Sequence, residues 1–189
     1  MSESILWASN ENTPFFKKPV TDVGAFAPEV IRGVRAFHST FPGYQPTPLH
    51  SLPALAKLLG VKAIYLKDES FRFGLNAFKV LGGSYAIAKY LAEKLSKDLK
   101  DLPYDVLTSD AIRKELGEVV FATTTDGNHG RGVAWTARVL KQKAVVYMPK
   151  GSSQRRVDHI KAEGGQVTVR DCNYGESVRS TAHAANGQL

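Results

Sequence analysis

Three β-like segments start at residues 118, 143 and 166, and each gap between them has room for one helix and little else. The segments 118–124, 143–148 and 166–170 are rich in Val, Thr and aromatic residues, which suit a pleated, half-buried surface. Apolar residues at helical spacing fill the intervals: Val133, Ala137 and Leu140 within 130–141, then Val157 and Ile160, then Val178, Ala182 and Ala185 within 176–185. Ser152 or Ser153 caps the middle helix, and Gly164-Gly165 ends it. Strand–helix–strand units of this pitch are too long for hairpins and fit crossover connections. They predict an α/β fold, a parallel sheet with helices on both faces.

The chain before residue 118 is less regular. Pro14, Pro19, Gly24 and Pro28 break residues 1–30 into short pieces, which read as an irregular arm. Residues 41–49 hold three prolines and cannot be helical. A short helix fits 52–59, with Gly60 as its stop. A strand fits 61–67, with Ile64 and Leu66 on one face. A polar loop, 68–76, leads to a long helix over 78–97, whose apolar positions are Leu81, Tyr85, Ala88, Ala92 and Leu95. A connector with Pro103 and a short helix near 111–116 completes this part.

Composition removes several classes. Apolar residues make up 43% and charged residues 23%, so global disorder is excluded. The longest apolar run is 144–148, far short of a membrane-spanning helix, and the N-terminus lacks the pattern of a signal peptide. Cys172 is alone, which leaves no internal disulfide. His38, His50, His129, His159 and His183 show no metal-ligand spacing, so no metal site is expected. The expectation is a cytoplasmic protein. The formal charge of +7 is concentrated in residues 131–170, which carry nine basic and two acidic side chains. That stretch is either an anion-attracting surface or a solvated face. No nucleic-acid motif accompanies it, and no nucleic-acid partner is expected.

In open α/β sheets ligands bind beyond the carboxyl ends of the strands. Two segments occupy such positions. The first places Lys79 at a helix start among the apolar residues Ala77, Phe78, Val80 and Leu81. Helix-start charge and apolar walls both favour a neutral amine, which is nucleophilic toward carbonyls. By itself such a lysine reads as a solvated surface residue. The second segment, Thr125-Asp-Gly-Asn-His-Gly130, turns a strand into a helix. Gly127, Gly130 and Gly132 allow backbone amides to approach a carboxylate or phosphate, or else serve the turn alone. The glycine order is not that of a dinucleotide site, and no Walker A motif is present.

Taken together, Asn76-Ala-Phe-Lys79 and, about fifty residues later, Thr125-Asp-Gly-Asn-His-Gly130 resemble the fold-type II pyridoxal-phosphate enzymes. This tryptophan synthase beta-like family includes serine and threonine dehydratases, threonine synthase and serine racemase. Residues 67–79, 121–135 and 147–152, with Gly43-Tyr44 and Pro46-Thr-Pro-Leu49, are most similar to the diaminopropionate ammonia-lyases of that family. The resemblance covers roughly residues 35–185.

The resemblance implies pyridoxal 5′-phosphate as cofactor. Lys79 is its covalent attachment point and a base on one face, Phe78 lies against the pyridine ring, and Asn128 bonds the ring hydroxyl oxygen. Thr125, Asp126, Gly127, Asn128 and His129 hold the carboxylate of a small amino-acid substrate. Asp126, where dehydratases commonly have a small residue, supplies a second base on the opposite face. The implied reaction is β-elimination of ammonia from 2,3-diaminopropionate, giving pyruvate, by a cytoplasmic homodimer with no membrane partner. In domain terms, residues 1–60 are an arm and part of the large domain, and 61–189 are an incomplete α/β cofactor and substrate domain. The family carries its phosphate loop and the partner of the pyridine nitrogen in a second half, so this C-terminal half is expected to be absent, with weak cofactor binding and impaired turnover. Two alternatives stand beside it: a serine/threonine dehydratase-type enzyme, and a catalytically inert anion-binding module.

Overall fold

The computed structural model describes residues 24–125 and 127–185. Its organising element is a three-stranded parallel sheet, ordered β3-β4-β5: β3 is Val120–Thr124, β4 is Lys143–Pro149 and β5 is Gln166–Arg170. Two shorter strands precede it, β1 (Leu49–Ser51) and β2 (Tyr65–Lys67). In the ladder Thr124 pairs with Tyr147, and Tyr147 with Thr168. Along β4 the side chains alternate, with Ala144, Val146 and Met148 all buried.

The helices before the sheet are α1 (Pro28–Ser39), α2 (Pro53–Leu58), α3 (Lys79–Lys94), α4 (Tyr104–Leu107) and α5 (Asp110–Leu116). Three more are interleaved with the sheet: α6 (Asn128–Val139), α7 (Gln154–Ala162) and α8 (Tyr174–Ala185). The buried face of β4 receives α6 and α7, because Gly130 of α6 lies against both Val146 and Ile160. The other face receives α8. Thr124, which shares Tyr147's side of the sheet, contacts the Ser177 carbonyl at 3.1 Å and Thr181 Oγ1 at 2.6 Å. Helices on both faces of a parallel sheet match the sequence expectation.

Several details differ from it. Of the strand expected over 61–67, only Tyr65–Lys67 forms, and it pairs antiparallel with Leu49–Ser51 outside the parallel sheet. All six side chains of this ribbon are exposed, so its apolar alternation has no inside face among the described residues. Pro28 does not break structure: it starts α1, where its fixed φ suits the helix and its missing N–H costs nothing. The core face of α3 is Val80, Ser84, Ile87, Leu91 and Ala92, and Leu81 and Tyr85 flank it. On α8 the expected inner residues Val178 and Ala182 are exposed, while Ser177 and Thr181 are buried. The threonine at the end of β3 offers a hydroxyl, and hydroxyls of the helix turn toward it. Ser153 holds the N-cap position of α7, but its side chain makes no capping bond.

α3 and α6 approach each other closely. A Cβ on Gly132 would stand 3.0 Å from the Val80 Cα, so the two backbones meet there. Gly82 and Gly83 of α3 do not make this approach: Gly82 faces open space and a Cβ on Gly83 would make only an ordinary contact at 3.7 Å.

α1 anchors the first turn of α3 through His38. The buried imidazole places Nε2 3.0 Å from the Leu81 carbonyl oxygen and 2.9 Å from Ser84 Oγ, among the rings of Phe37, Phe41 and Tyr85. Burial holds its pKa below the ordinary histidine value, against the opposing effect of the Leu81 bond. The unfolded chain therefore takes up this proton first as pH falls. The stability His38 contributes is complete above about pH 6.5 and is lost below it, at up to about 1.4 kcal/mol per pH unit. Urea unfolding at several pH values is expected to show a shallower slope in His38→Gln. An unchanged slope would remove His38 from this role.

Candidate active site

At the carboxyl end of β3 the chain enters α6 through a short turn. Thr125 is buried: its N–H donates to the Tyr147 carbonyl at 3.0 Å, and its hydroxyl accepts from the Gly127 N–H at 3.1 Å. The Arg131 N–H donates to the Gly127 carbonyl at 3.2 Å and closes the first turn. Asn128 and His129 thus begin the helix with amides that have no preceding helical carbonyl to bond, an arrangement that accepts an anion. Asp126 lies outside the described residues.

The glycines of this turn serve packing. A Cβ on Gly130 would fall 2.2 Å from Thr125 Cγ2 and 2.8 Å from Val146 Cγ1, and Gly132 abuts Val80. The expectation that both bring amides to a ligand is corrected. Gly127 alone borders the open turn, with the Arg156 side chain 3.7 Å from where its Cβ would be.

The other wall comes from the loop before α3. Arg72 pins it: its guanidinium donates to Glu69 Oε2 at 2.9 Å and to the Gln45 carbonyl at 3.0 Å. Asn76 takes a left-handed φ of 55°, and Lys79 then begins α3. The apolar niche expected around Lys79 is not present. Lys79 is exposed, Phe78 at the N-cap is 60% exposed, and of the four apolar neighbours only Val80 is buried. The reason is position, since the first turn of α3 lies at the rim.

Lys79 nevertheless meets the turn. Lys79, Thr125, His129 and Tyr174 line one cleft of about 400 Å³. His129 reports the proximity: its pKa is lowered first by burial and then by the positive charge of Lys79. Tyr174, the first residue of α8, was not singled out in the sequence. Its signal was positional, because it follows β5 at the same end of the sheet.

Several side chains of the basic stretch are paired with acids, three of them with acids from outside it. Lys141 pairs with Asp110 at 3.2 Å, Lys143 with Glu118 at 2.8 Å, and Lys150 with Asp171 at 2.9 Å. Arg131 and Arg138 share Glu163, and Arg170 lies 3.7 Å over the Tyr147 ring. No described helix is long and apolar enough to cross a membrane.

A parallel α/β sheet that brings a lysine amine and a helix start to one cleft has the fold-type II architecture. The chain belongs to the pyridoxal-phosphate dependent enzyme family, whose model matches residues 40–188.

Among its relatives, diaminopropionate ammonia-lyase of Salmonella typhimurium is 54% identical over 146 residues, which is 77% of this chain and 36% of the relative. The crystal structure of apo diaminopropionate ammonia lyase from Escherichia coli superposes with a TM-score of 0.80 at 51% identity, covering 87% of this chain and 44% of that one. A structure of the same Escherichia coli enzyme with an aminoacrylate–pyridoxal-phosphate azomethine reaction intermediate gives a TM-score of 0.77 at 50% identity, covering 87% and 40%. The chain thus spans well under half the length of these proteins.

Proposed function

We propose that this chain supplies the lysine-bearing part of a pyridoxal-phosphate lyase that eliminates ammonia from 2,3-diaminopropionate. The observation that carries the reading is the single cleft shared by Lys79, Thr125 and His129. Identity of 54% with a relative named for that reaction supports the substrate.

The residues present fit the cofactor. An aldehyde needs an accessible primary amine, and Lys79 offers one at the rim of a cleft of about 400 Å³. The exposed Phe78 ring is adjacent in sequence and available to cover a flat heterocycle. When bound, pyridoxal phosphate acts as an electron sink for the pair left on the substrate Cα.

Lys79 Nζ is the attachment point and then takes the Cα proton on one face. The Asp126 carboxylate, between Thr125 and Gly127 in the chain, takes it on the opposite face, which admits both enantiomers. Asn128 would bond the ring hydroxyl oxygen. Thr125, Asp126, Gly127, Asn128 and His129 would hold the substrate carboxylate, since a helix start such as that of α6 suits an anion. The β-amino group leaves as ammonia. Water then releases a second ammonia, so one diaminopropionate and one water give pyruvate and two ammonia. The resemblance also supports a homodimer in the cytoplasm, and the exposed Leu49, Tyr65 and Leu66 of the β1–β2 ribbon give association an apolar surface to bury.

The test is covalent. The chain is mixed with pyridoxal phosphate, reduced with borohydride and digested for mass spectrometry. Label is expected on the Lys79 peptide, well above that on exposed Lys62, and is expected to vanish from that position in Lys79→Ala with total labelling sharply reduced. Label spread evenly over surface lysines would overturn the reading. Ammonia release from serine or threonine, but not from 2,3-diaminopropionate, would move the substrate to the hydroxy amino acids.

A further inference from the structure

The two walls of the cleft are tied together by one side chain. Arg131, in the first turn of α6, donates from Nη1 to the Leu75 carbonyl at 3.1 Å, four residues before Lys79. Its Nε and Nη2 donate to Glu163 Oε1 at 3.2 and 2.9 Å. Glu163, nearly buried at the C-cap of α7, accepts at its other oxygen from Arg138 Nη2 at 2.8 Å.

The next residue of α6 holds the far side of the lysine. Gly132 brings its backbone against Val80, where a Cβ would meet the Val80 nitrogen at 3.2 Å. Consecutive residues of one helix therefore grip the Lys79 segment before and after the lysine. Between the grips the chain bends through left-handed Asn76. The same helix begins at the anion-accepting turn, so α6 sets the position of both walls.

We propose that Arg131, oriented by Glu163, is a positioning residue that fixes Lys79 Nζ opposite Thr125 and His129. It acts through Leu75 and touches no reacting atom. The inference rests on Lys79 being the cofactor's attachment point. Arginine suits the task because its planar fork serves a carbonyl and a carboxylate at once, which an ammonium or an amide cannot match. A merely structural Arg131 would lower the stability of the whole fold and leave the relative reactivity of Lys79 unchanged.

The discriminating quantity is the ratio of borohydride-trapped pyridoxal phosphate on Lys79 to that on exposed Lys62 in one sample, measured beside a melting curve. In Arg131→Gln, Glu163 keeps Arg138, so no carboxylate is stranded. The ratio is expected to fall between about tenfold and a hundredfold, the scale for misplacing a reacting group by roughly 1 Å. Arg131→Lys is expected to recover part of it. Glu163→Gln, which leaves Arg131 in place without its carboxylate, is expected to show a smaller fall.

An unchanged ratio in folded Arg131→Gln, with Lys79→Ala abolishing the site-specific label, overturns the positioning role and leaves the proposed function standing. If Arg131→Gln does not fold, Glu163→Gln decides, and an unchanged ratio there overturns the role. A ratio near one in the unaltered protein removes the proposed function and this inference with it.

Discussion

Gly130→Ala is expected to lower folding stability by about 3 kcal/mol, at the upper end of overpacking costs. The added methyl would sit 2.2 Å from Thr125 Cγ2 and 2.8 Å from Val146 Cγ1. Neither neighbour can yield. Val146 is fully buried in the central strand, and Thr125 is held by its hydroxyl bond from Gly127 and its amide bond to Tyr147. Relief requires the start of α6 to lift, which carries Asn128 and His129 away from the cleft. Gly82→Ala in α3 is the control, because a Cβ there meets nothing within 4 Å. It is expected to be neutral or to gain up to about 1 kcal/mol from helix propensity. Urea unfolding of the two variants checks the claim, and an equal loss in both would refute it.

Glu163→Ala is expected to cost about 3 kcal/mol or more, the scale for removing one partner of a buried ion network. The carboxylate side chain is 11% exposed and receives two guanidiniums, from Arg131 and Arg138. Without it Arg131, at 19% exposure, keeps its charge in a poorly hydrated place with only the Leu75 carbonyl to bond. Arg138 is half exposed and recovers water, so the loss comes chiefly through Arg131. Denaturant unfolding of Glu163→Ala, against Glu115→Ala at the exposed pair with Lys97, measures the difference. A similar small effect in both would show that the network contributes little.

The parallel sheet was legible because its strands are short β-branched runs set off by glycine and polar turns. Two of them, at Lys143 and Gln166, start where the pattern predicts. Helix faces were less legible. Counting apolar residues puts Val178 and Ala182 inward on α8, whereas hydrogen bonds to Thr124 turn Ser177 and Thr181 inward. Pro28 was read only as a breaker, although a proline at the first helical position is favourable. Within the candidate site, Lys79 and the glycine turn stood out as motifs. Which glycines face packing and which face the cleft depends on neighbours far away in sequence, such as Val80 and Val146. The Arg131 fork was illegible for the same reason, since its partners Leu75 and Glu163 lie 56 and 32 residues away.

The last helix lies across the sheet from the two before it, as the Thr124 and Gly130 contacts show. The chain therefore reverses its direction of winding after β5. The connections that leave β3 and β5 depart toward opposite sides of the sheet, and Thr125 after the one and Tyr174 after the other line the same cleft. That cleft is a product of topology. Side chains there are free to be chosen for chemistry, because none of them has to be made small to keep the space open.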